Sequence, residues 1–343
     1  MSEGTLKKED AARLIASAKQ SGTVASITML AGDASTRKYF RIALDGGDTY
    51  VVMMAPDEGQ VTGFYSMTRL LRAMNVDTPE FFSQNGNLAL LEDCGDELLQ
   101  NRLARLDAQA VEREYRNVID SLVDFQKNAA ILPDKSHGCF KLAFDFEKLM
   151  WEIDFANTHF LAGHLGLAVS PDLSDAAKKE WGTIVDALAE RMETLAHRDF
   201  HSRNILAIDH RRVWIDYQDA RMGRRTYDLA SLLLDPYADL APELSDRLAD
   251  YYFDKLSGTS GAEWEKERFD ELYDLSGIQR IYKALGTYGF QASVRKTDVY
   301  LPYIAPALCT LERLLNRRLD FGAIRQITGM SAELVKGRPA PRQ

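Results

Sequence analysis

His197-Arg198-Asp199-Phe200-His201-Ser202-Arg203-Asn204 is followed by two short apolar runs, residues 205–208 and 212–215, and then by Asp216. The polar turn Asp209-His210-Arg211 between the runs predicts a hairpin that returns the chain beside Asn204. A carboxylate five residues before an amide fits a loop with a proton acceptor at one end and a cation ligand at the other. Two carboxylates and an amide oxygen are hard ligands of the kind Mg²⁺ prefers. The spacing therefore points to phosphoryl transfer: Asp199 orients and deprotonates an attacking hydroxyl, while Asn204 and Asp216 hold Mg²⁺ against the phosphates of ATP. The competing reading is a charged surface loop, because His-Arg-Asp by itself is a weak motif. A zinc pair at His197 and His201 is rejected, since no glutamate base and no Cys/His cluster complete it. His197 reads instead as a hydrogen-bonding strut for the loop.

The chain of 343 residues is too long for one small core and suits two lobes. Its 45% hydrophobic content excludes a disordered chain, and a net charge of -9 argues against nucleic acid as the main partner. Cys94, Cys139 and Cys309 form neither a disulfide framework nor a metal set. With no signal-like N-terminus and no long apolar run, a cytoplasmic protein with no membrane partner is expected. Nothing in the sequence marks an obligate protein partner.

Residues 8–18 have the spacing of an amphipathic helix. Residues 26–30, 38–44 and 49–55 then read as an antiparallel meander, residues 61–74 as a helix, and Phe81-Phe82 and residues 88–92 as two more strands. The turn over residues 31–37 is a candidate phosphate loop through Ser35, Thr36, Arg37 and Lys38; without other information it is a polar hairpin turn. Glu92-Asp93-Cys94 would form a hinge whose backbone pairs with adenine. Beyond it the pattern is helical: residues 107–127, 144–165, a break at Ser170-Pro171-Asp172, 175–195, 227–234, 242–256, 265–294 and 303–319. The arginines at 211, 212, 221, 224 and 225 read as solvated loop charges.

The pattern resembles the aminoglycoside phosphotransferase and choline kinase superfamily. Within it, the likeness is to bacterial anomeric kinases for N-acetylmuramate and N-acetylglucosamine used in cell-wall recycling. It is carried by residues 32–41, Leu90-Leu91-Glu92-Asp93, His197-Arg198-Asp199, Asp216-Tyr217-Gln218-Asp219-Ala220, Thr226-Tyr227-Asp228-Leu229 and Gly277-Ile278-Gln279-Arg280. The resemblance implies an α+β, bilobal, protein-kinase-like fold, with a small antiparallel sheet lobe over 1–93 and a large helical lobe over 94–343. It implies Asp228 as a support for the catalytic-loop backbone, the alternative being a plain helix N-cap. The helix containing Gln279, Arg280 and Lys283 would line the acceptor pocket, Arg280 or Lys283 pairing with a lactyl carboxylate. Gln218 and Asp219 are further candidates for acceptor contacts. One departure is plain: protein kinases carry a lysine on the third strand, whereas Met53 or Met54 stands there, leaving Arg37, Lys38 or Arg41 to supply the charge. Only about a dozen residues separate Asp216 from Asp228, too few for a polypeptide-seating loop, so a small-molecule acceptor is expected. The rival readings are an aminoglycoside or choline-type kinase and a nucleotide-binding pseudokinase regulator.

Overall fold

The computed structural model describes residues 5–30, 36–257 and 265–337, so Ser35 lies outside the described residues. Helix α1 (Lys8–Ser17) buries Ala11, Leu14 and Ile15, the stripe set by three- and four-residue spacing. Strands β1 (Val24–Met29), β2 (Lys38–Leu44) and β3 (Thr49–Met54) follow. Phe40, Ile42 and Leu44 alternate inward along β2 and pack with Leu14, Val52 and Leu90. Helix α2 (Glu58–Ala73) starts three residues earlier than its apolar run suggests, because the Asp57 carboxylate caps it by accepting from the Gln60 N–H. β4 (Phe81–Asn85) and β5 (Leu88–Glu92) complete an antiparallel sheet of order β1-β2-β3-β5-β4.

The rest is mostly helical. It runs through α3 (Leu99–Leu103), α4 (Ala108–Ile131), α5 (Phe146–Ala156), a π-helical turn Asn157–Leu165, and α6 (Pro171–Ala189). The expected break at Ser170-Pro171-Asp172 is corrected: Ser170 caps α6 and Pro171 is its first residue, where a missing N–H costs nothing. The helix also ends sooner than residue 195, since Leu195 lies in β6 (Thr194–Ala196). The stretch 197–204 leads into the hairpin β7 (Ile205–Ile208) and β8 (Arg211–Trp214), paired as expected. β9 (Arg221–Gly223) pairs with β6. Helices α7 (Arg225–Leu233), α8 (Pro242–Ser257), α9 (Lys266–Ser293), α10 (Ile304–Arg317) and α11 (Gly322–Lys336) finish the chain, α11 being unforeseen.

Two compact units result: Met1–Leu98 with Ile205–Gln218, and Leu99–Asn204 with Asp219–Gln343. The β7–β8 hairpin thus belongs with the sheet. Its backbone joins it through Ala207 N–H to Glu97 O (2.8 Å) and Trp214 N–H to Asp77 O (2.8 Å). Arg211 reinforces the attachment, reaching Asp77 Oδ1 at 2.8 Å and Glu92 Oε1 at 2.5 Å. In the helical unit, α9 lies unusually close to the π-helical turn. A Cβ at Gly289 would stand 2.5 Å from the His159 carbonyl oxygen, and one at Gly286 would stand 2.8 Å from Ala156 Cα.

Candidate active site

In the helical unit the loop after β6 is held by its backbone. Arg198 has φ 85°, a left-handed conformation that a non-glycine residue keeps only when its surroundings enforce it. The enforcing group is Asp228, whose carboxylate accepts from His197 N–H (2.6 Å) and Arg198 N–H (3.0 Å). Asp228 is the fourth residue of α7 and Arg224 occupies the N-cap position, so the plain N-cap reading is corrected. Burial pushes its carboxyl up to about 7, against the pull of these two hydrogen bonds. Further along, Asp235 Oδ2 accepts from Ser202 N–H (2.9 Å) and Ser202 Oγ (2.5 Å). Asn204 Nδ2 donates to the Asp199 carbonyl (2.9 Å), which leaves the amide's oxygen as the end suited to a cation.

Asp199 is ringed by positive charge. Lys283 Nζ is 2.9 Å and Arg280 Nη2 3.5 Å from its Oδ1, and Arg198 Nε is 3.9 Å from its Oδ2. Burial would raise its carboxyl, but Lys283, Arg280 and Arg198 together hold it well below the usual carboxylate range. Burial lowers Lys283 to about 8, with Asp199 and Glu152 pulling the other way. Arg280 and Lys283 therefore do come together at Asp199 from α9, whereas Gln279 of the same helix reaches Glu152 instead. Asp219 joins them through Arg198 Nη1 at 3.1 Å.

The sequence reading missed Glu152, Lys148 and Arg198. Glu152, on α5, is 2% exposed, accepts from Gln279 Nε2 at 3.0 Å, and lies 3.5 Å from Lys148 and 3.8 Å from Arg198. Glu152 Oε1, Gln279 Oε1 and Tyr227 Oη are buried and lack a hydrogen-bond partner among the described residues. The available signal was one-sided: Lys148 and Glu152 are four residues apart on a helix, the spacing of an ordinary surface pair. A separate cleft of about 390 Å³ is lined by residues of α8, α9 and α10 including Asp250, Lys266, Asp274 and Arg318. It contains none of these groups, and its charges are matched, Lys266 with Asp250 (2.8 Å) and Arg318 with Asp274 (2.9 Å).

In the sheet unit Asp216 is exposed, has φ 64°, and accepts from Gln218 Nε2 at 2.8 Å. Its neighbour Tyr217 is fully buried, stacks on Phe64 at 5.2 Å and shares a 2.8 Å hydrogen bond with Thr68, fastening the segment to α2. Tyr39 is raised, first by burial; its hydroxyl takes a hydrogen bond from Arg37 and feels the Asp216 charge, so all three share one neighbourhood. Lys38 stands opposite Met54 in the ladder, and Met53 is buried. Of the three candidate cations, Arg41 is already engaged, 2.7 Å from both Asp93 and Asp96. Thr36 lies two residues before the start of β2. At the hinge, Glu92 N–H donates to Glu80 O (2.8 Å), and burial pushes the Cys94 thiol up to about 12.

A five-stranded antiparallel sheet, a helical remainder and a loop of this composition define an α+β fold of the protein-kinase-like kind, turned to small molecules. The chain belongs to the phosphotransferase enzyme family (APH), whose model matches residues 26–269, and it is a small-molecule kinase. It is 26% identical over 305 residues to an N-acetylmuramate/N-acetylglucosamine kinase of Neisseria meningitidis serogroup B, covering 87% of this chain and 88% of that one. A protein of the same name from Pseudomonas putida is 26% identical over 323 residues, covering 92% and 90%. Among solved structures, ADP-bound aminoglycoside phosphotransferase APH(2'')-Ib matches the fold with a TM-score of 0.58 at 14% identity, over 90% of this chain and 99% of that one.

Proposed function

We propose that this kinase transfers the γ-phosphoryl group of ATP, with Mg²⁺, to the anomeric hydroxyl of N-acetylmuramate or N-acetylglucosamine. The observation that carries the reading is the charge around Asp199. Lys148, Arg198, Arg221, Arg280 and Lys283 face Glu152, Asp199 and Asp219, with Asp228 buried beneath the loop, five cations against four carboxyl groups. Such a site repels an amine acceptor, which needs an acidic pocket. It accepts a sugar whose nitrogen is neutralised by acetylation, and it favours one that also carries a carboxylate. Gln279 Oε1 and Tyr227 Oη, buried without a hydrogen-bond partner among the described residues, suit the hydroxyl and amide groups of such a sugar. A base held this weak also suits an anomeric hydroxyl, which the ring oxygen makes more acidic than an ordinary alcohol. The relatives' names point the same way.

Asp199 accepts the hydroxyl's hydrogen bond and takes its proton late in the transfer, and Lys283 and Arg280 keep the carboxylate ionised until then. The oxygen donors of Asn204 and Asp216 suit Mg²⁺, which when bound neutralises charge on the transferred phosphoryl group. Ser35, Thr36, Arg37 and Lys38 contact the phosphates, and the backbone of Asp93 and Cys94 meets the adenine. Lactyl recognition falls to Arg280 or Lys283, with Gln218, Asp219 and Gln279 at the sugar hydroxyls.

The test is Mg²⁺-dependent ADP release with N-acetylmuramate, N-acetylglucosamine, choline and an aminoglycoside, followed by phosphorus NMR of the product. The expected result is turnover of the two N-acetylated sugars alone, with phosphate on the anomeric carbon. Turnover of choline or the aminoglycoside in their place overturns the reading.

A further inference from the structure

One residue of the catalytic loop has surroundings that the phosphotransfer scheme does not use. The guanidinium carbon of Arg203 lies 4.7 Å from the ring centre of Tyr237, 5.6 Å from Tyr303 and 5.9 Å from Tyr300. The rings brace one another: Tyr237 and Tyr303 meet edge-on at 4.7 Å, and Tyr288 of α9 stacks on Tyr300 at 5.5 Å. Three tyrosine faces around one cation form a cage of the kind proteins use to bind cationic ligands. Here the chain's own guanidinium fills it.

The position of Arg203 in the loop gives the cage a purpose. Asp235 accepts from Ser202 through Oδ2 and from the Tyr237 N–H through Oδ1 (2.8 Å). Two successive loop residues, Ser202 and Arg203, are thus fastened to the same short segment, 235–237, one by a carboxylate and the other by a ring. The next residue is Asn204, whose amide is already oriented by the Asp199 carbonyl. A side chain with one polar end fixed and its backbone pinned on the preceding side has little freedom left. Lysine could not reproduce the arrangement, because a planar guanidinium lies flat against several rings where an ammonium is a hydrated point charge.

We propose that Arg203 is a positioning residue: seated in the tyrosine cage, it fixes the turn that presents Asn204 to the Mg²⁺–nucleotide complex. The proposal rests on the assignment of Asn204 as a metal ligand. It has a second consequence, that these rings are closed to a quaternary ammonium acceptor while Arg203 occupies them.

The experiment compares the full-length chain with Arg203→Ala and Arg203→Lys. For Arg203→Ala, kcat is expected to fall by about 10²-fold, the cost of a small misplacement of a reacting group. The half-saturating Mg²⁺ concentration should rise by about tenfold, as when a ligand loses its supporting partner, with the acceptor KM unchanged. Methylguanidinium, which can re-enter the vacated cage, should restore most of the lost kcat, and methylamine should not. The gain in Tm produced by Mg²⁺ with ADP should shrink in both variants. Unaltered Mg²⁺ dependence, or a loss of kcat that methylguanidinium leaves in place, overturns the proposal. If circular dichroism shows Arg203→Ala unfolded, Tyr303→Leu removes one wall of the cage and must show the same smaller Mg²⁺ effect. The Tm readout needs no acceptor, so wild-type inactivity toward every sugar would sink the proposed acceptor while leaving Arg203 decided by the metal-dependent shift.

Discussion

Asp199 and Asp216 are both carboxylates of the phosphotransfer motif, and their surroundings are opposite. Asp199 lies in the helical unit, 27% exposed, with three cationic groups within 3.9 Å. Asp216 lies in the sheet unit, exposed at a left-handed backbone position, and receives an amide N–H from Gln218. The difference separates two tasks. In the proposed roles, a carboxylate that must stay ionised in a partly buried pocket needs resident positive charge to offset desolvation, whereas one that is to bind an incoming cation is better placed facing water.

The comparison breaks most visibly at the base. Asp199→Asn should lower kcat by about 10²- to 10⁴-fold, the usual range for loss of a general base, while calorimetry shows Mg²⁺–ADP still binding. Equal loss of nucleotide binding would mean that Asp199 is not confined to the acceptor side. Asp216→Asn should behave in reverse, with about 10²-fold lower kcat at fixed Mg²⁺ and partial recovery as Mg²⁺ is raised. No recovery at any Mg²⁺ concentration would remove the distinction between the two aspartates.

Lys283→Met sharpens the same contrast through pH. In the proposed role Asp199 acts ionised, and its carboxyl is held low by Lys283 among others. Removing that cation should move the acid limb of kcat/KM upward; an unmoved limb would show that Arg280 and Arg198 suffice. Stability supplies a second readout. Lys283 loses its proton near 8 in the folded chain and near 10.5 when unfolded, so the unfolded state binds more protons between those values. Wild-type stability should therefore gain on the order of 3 kcal/mol as pH rises through that window, and Lys283→Met should lack the gain in urea titrations. The smallest effect is expected in the sheet unit. Arg211→Met loosens the β7–β8 hairpin from Asp77 and Glu92, but its side chain is 41% exposed, so the loss should be about 1 kcal/mol in chemical denaturation.

The sheet and the catalytic hairpin were legible because each is short-range: alternation along β2, a polar turn between two apolar runs, and an Asp-to-Asn interval that one loop spans. Gln279, Arg280 and Lys283 were legible as one helix face. Glu152 was not, because its significance comes from α9, more than a hundred residues away, and its own helix shows only a commonplace i,i+4 pair. Reading the arginines as solvated failed in the same way. Arg224 is 4% exposed and bound to Glu190 (3.0 Å) and Glu193 (2.9 Å), partners that only the packing of α6 and β6 brings near. At Pro171 a local rule was applied with the wrong sense, since proline after a serine starts a helix as readily as it stops one.

The glycines of α9 set a rule for how such a kinase can be altered. With bare backbone at residues 286 and 289 against the carbonyl of His159 and the Cα of Ala156, the helix has no room to slide or roll. If α9 lines the acceptor pocket as proposed, a change of acceptor is made by exchanging side chains on its fixed face rather than by shifting the helix. For an engineer retargeting the enzyme, positions 279, 280 and 283 are the letters to rewrite, and the glycines two turns further on are the ones to leave alone.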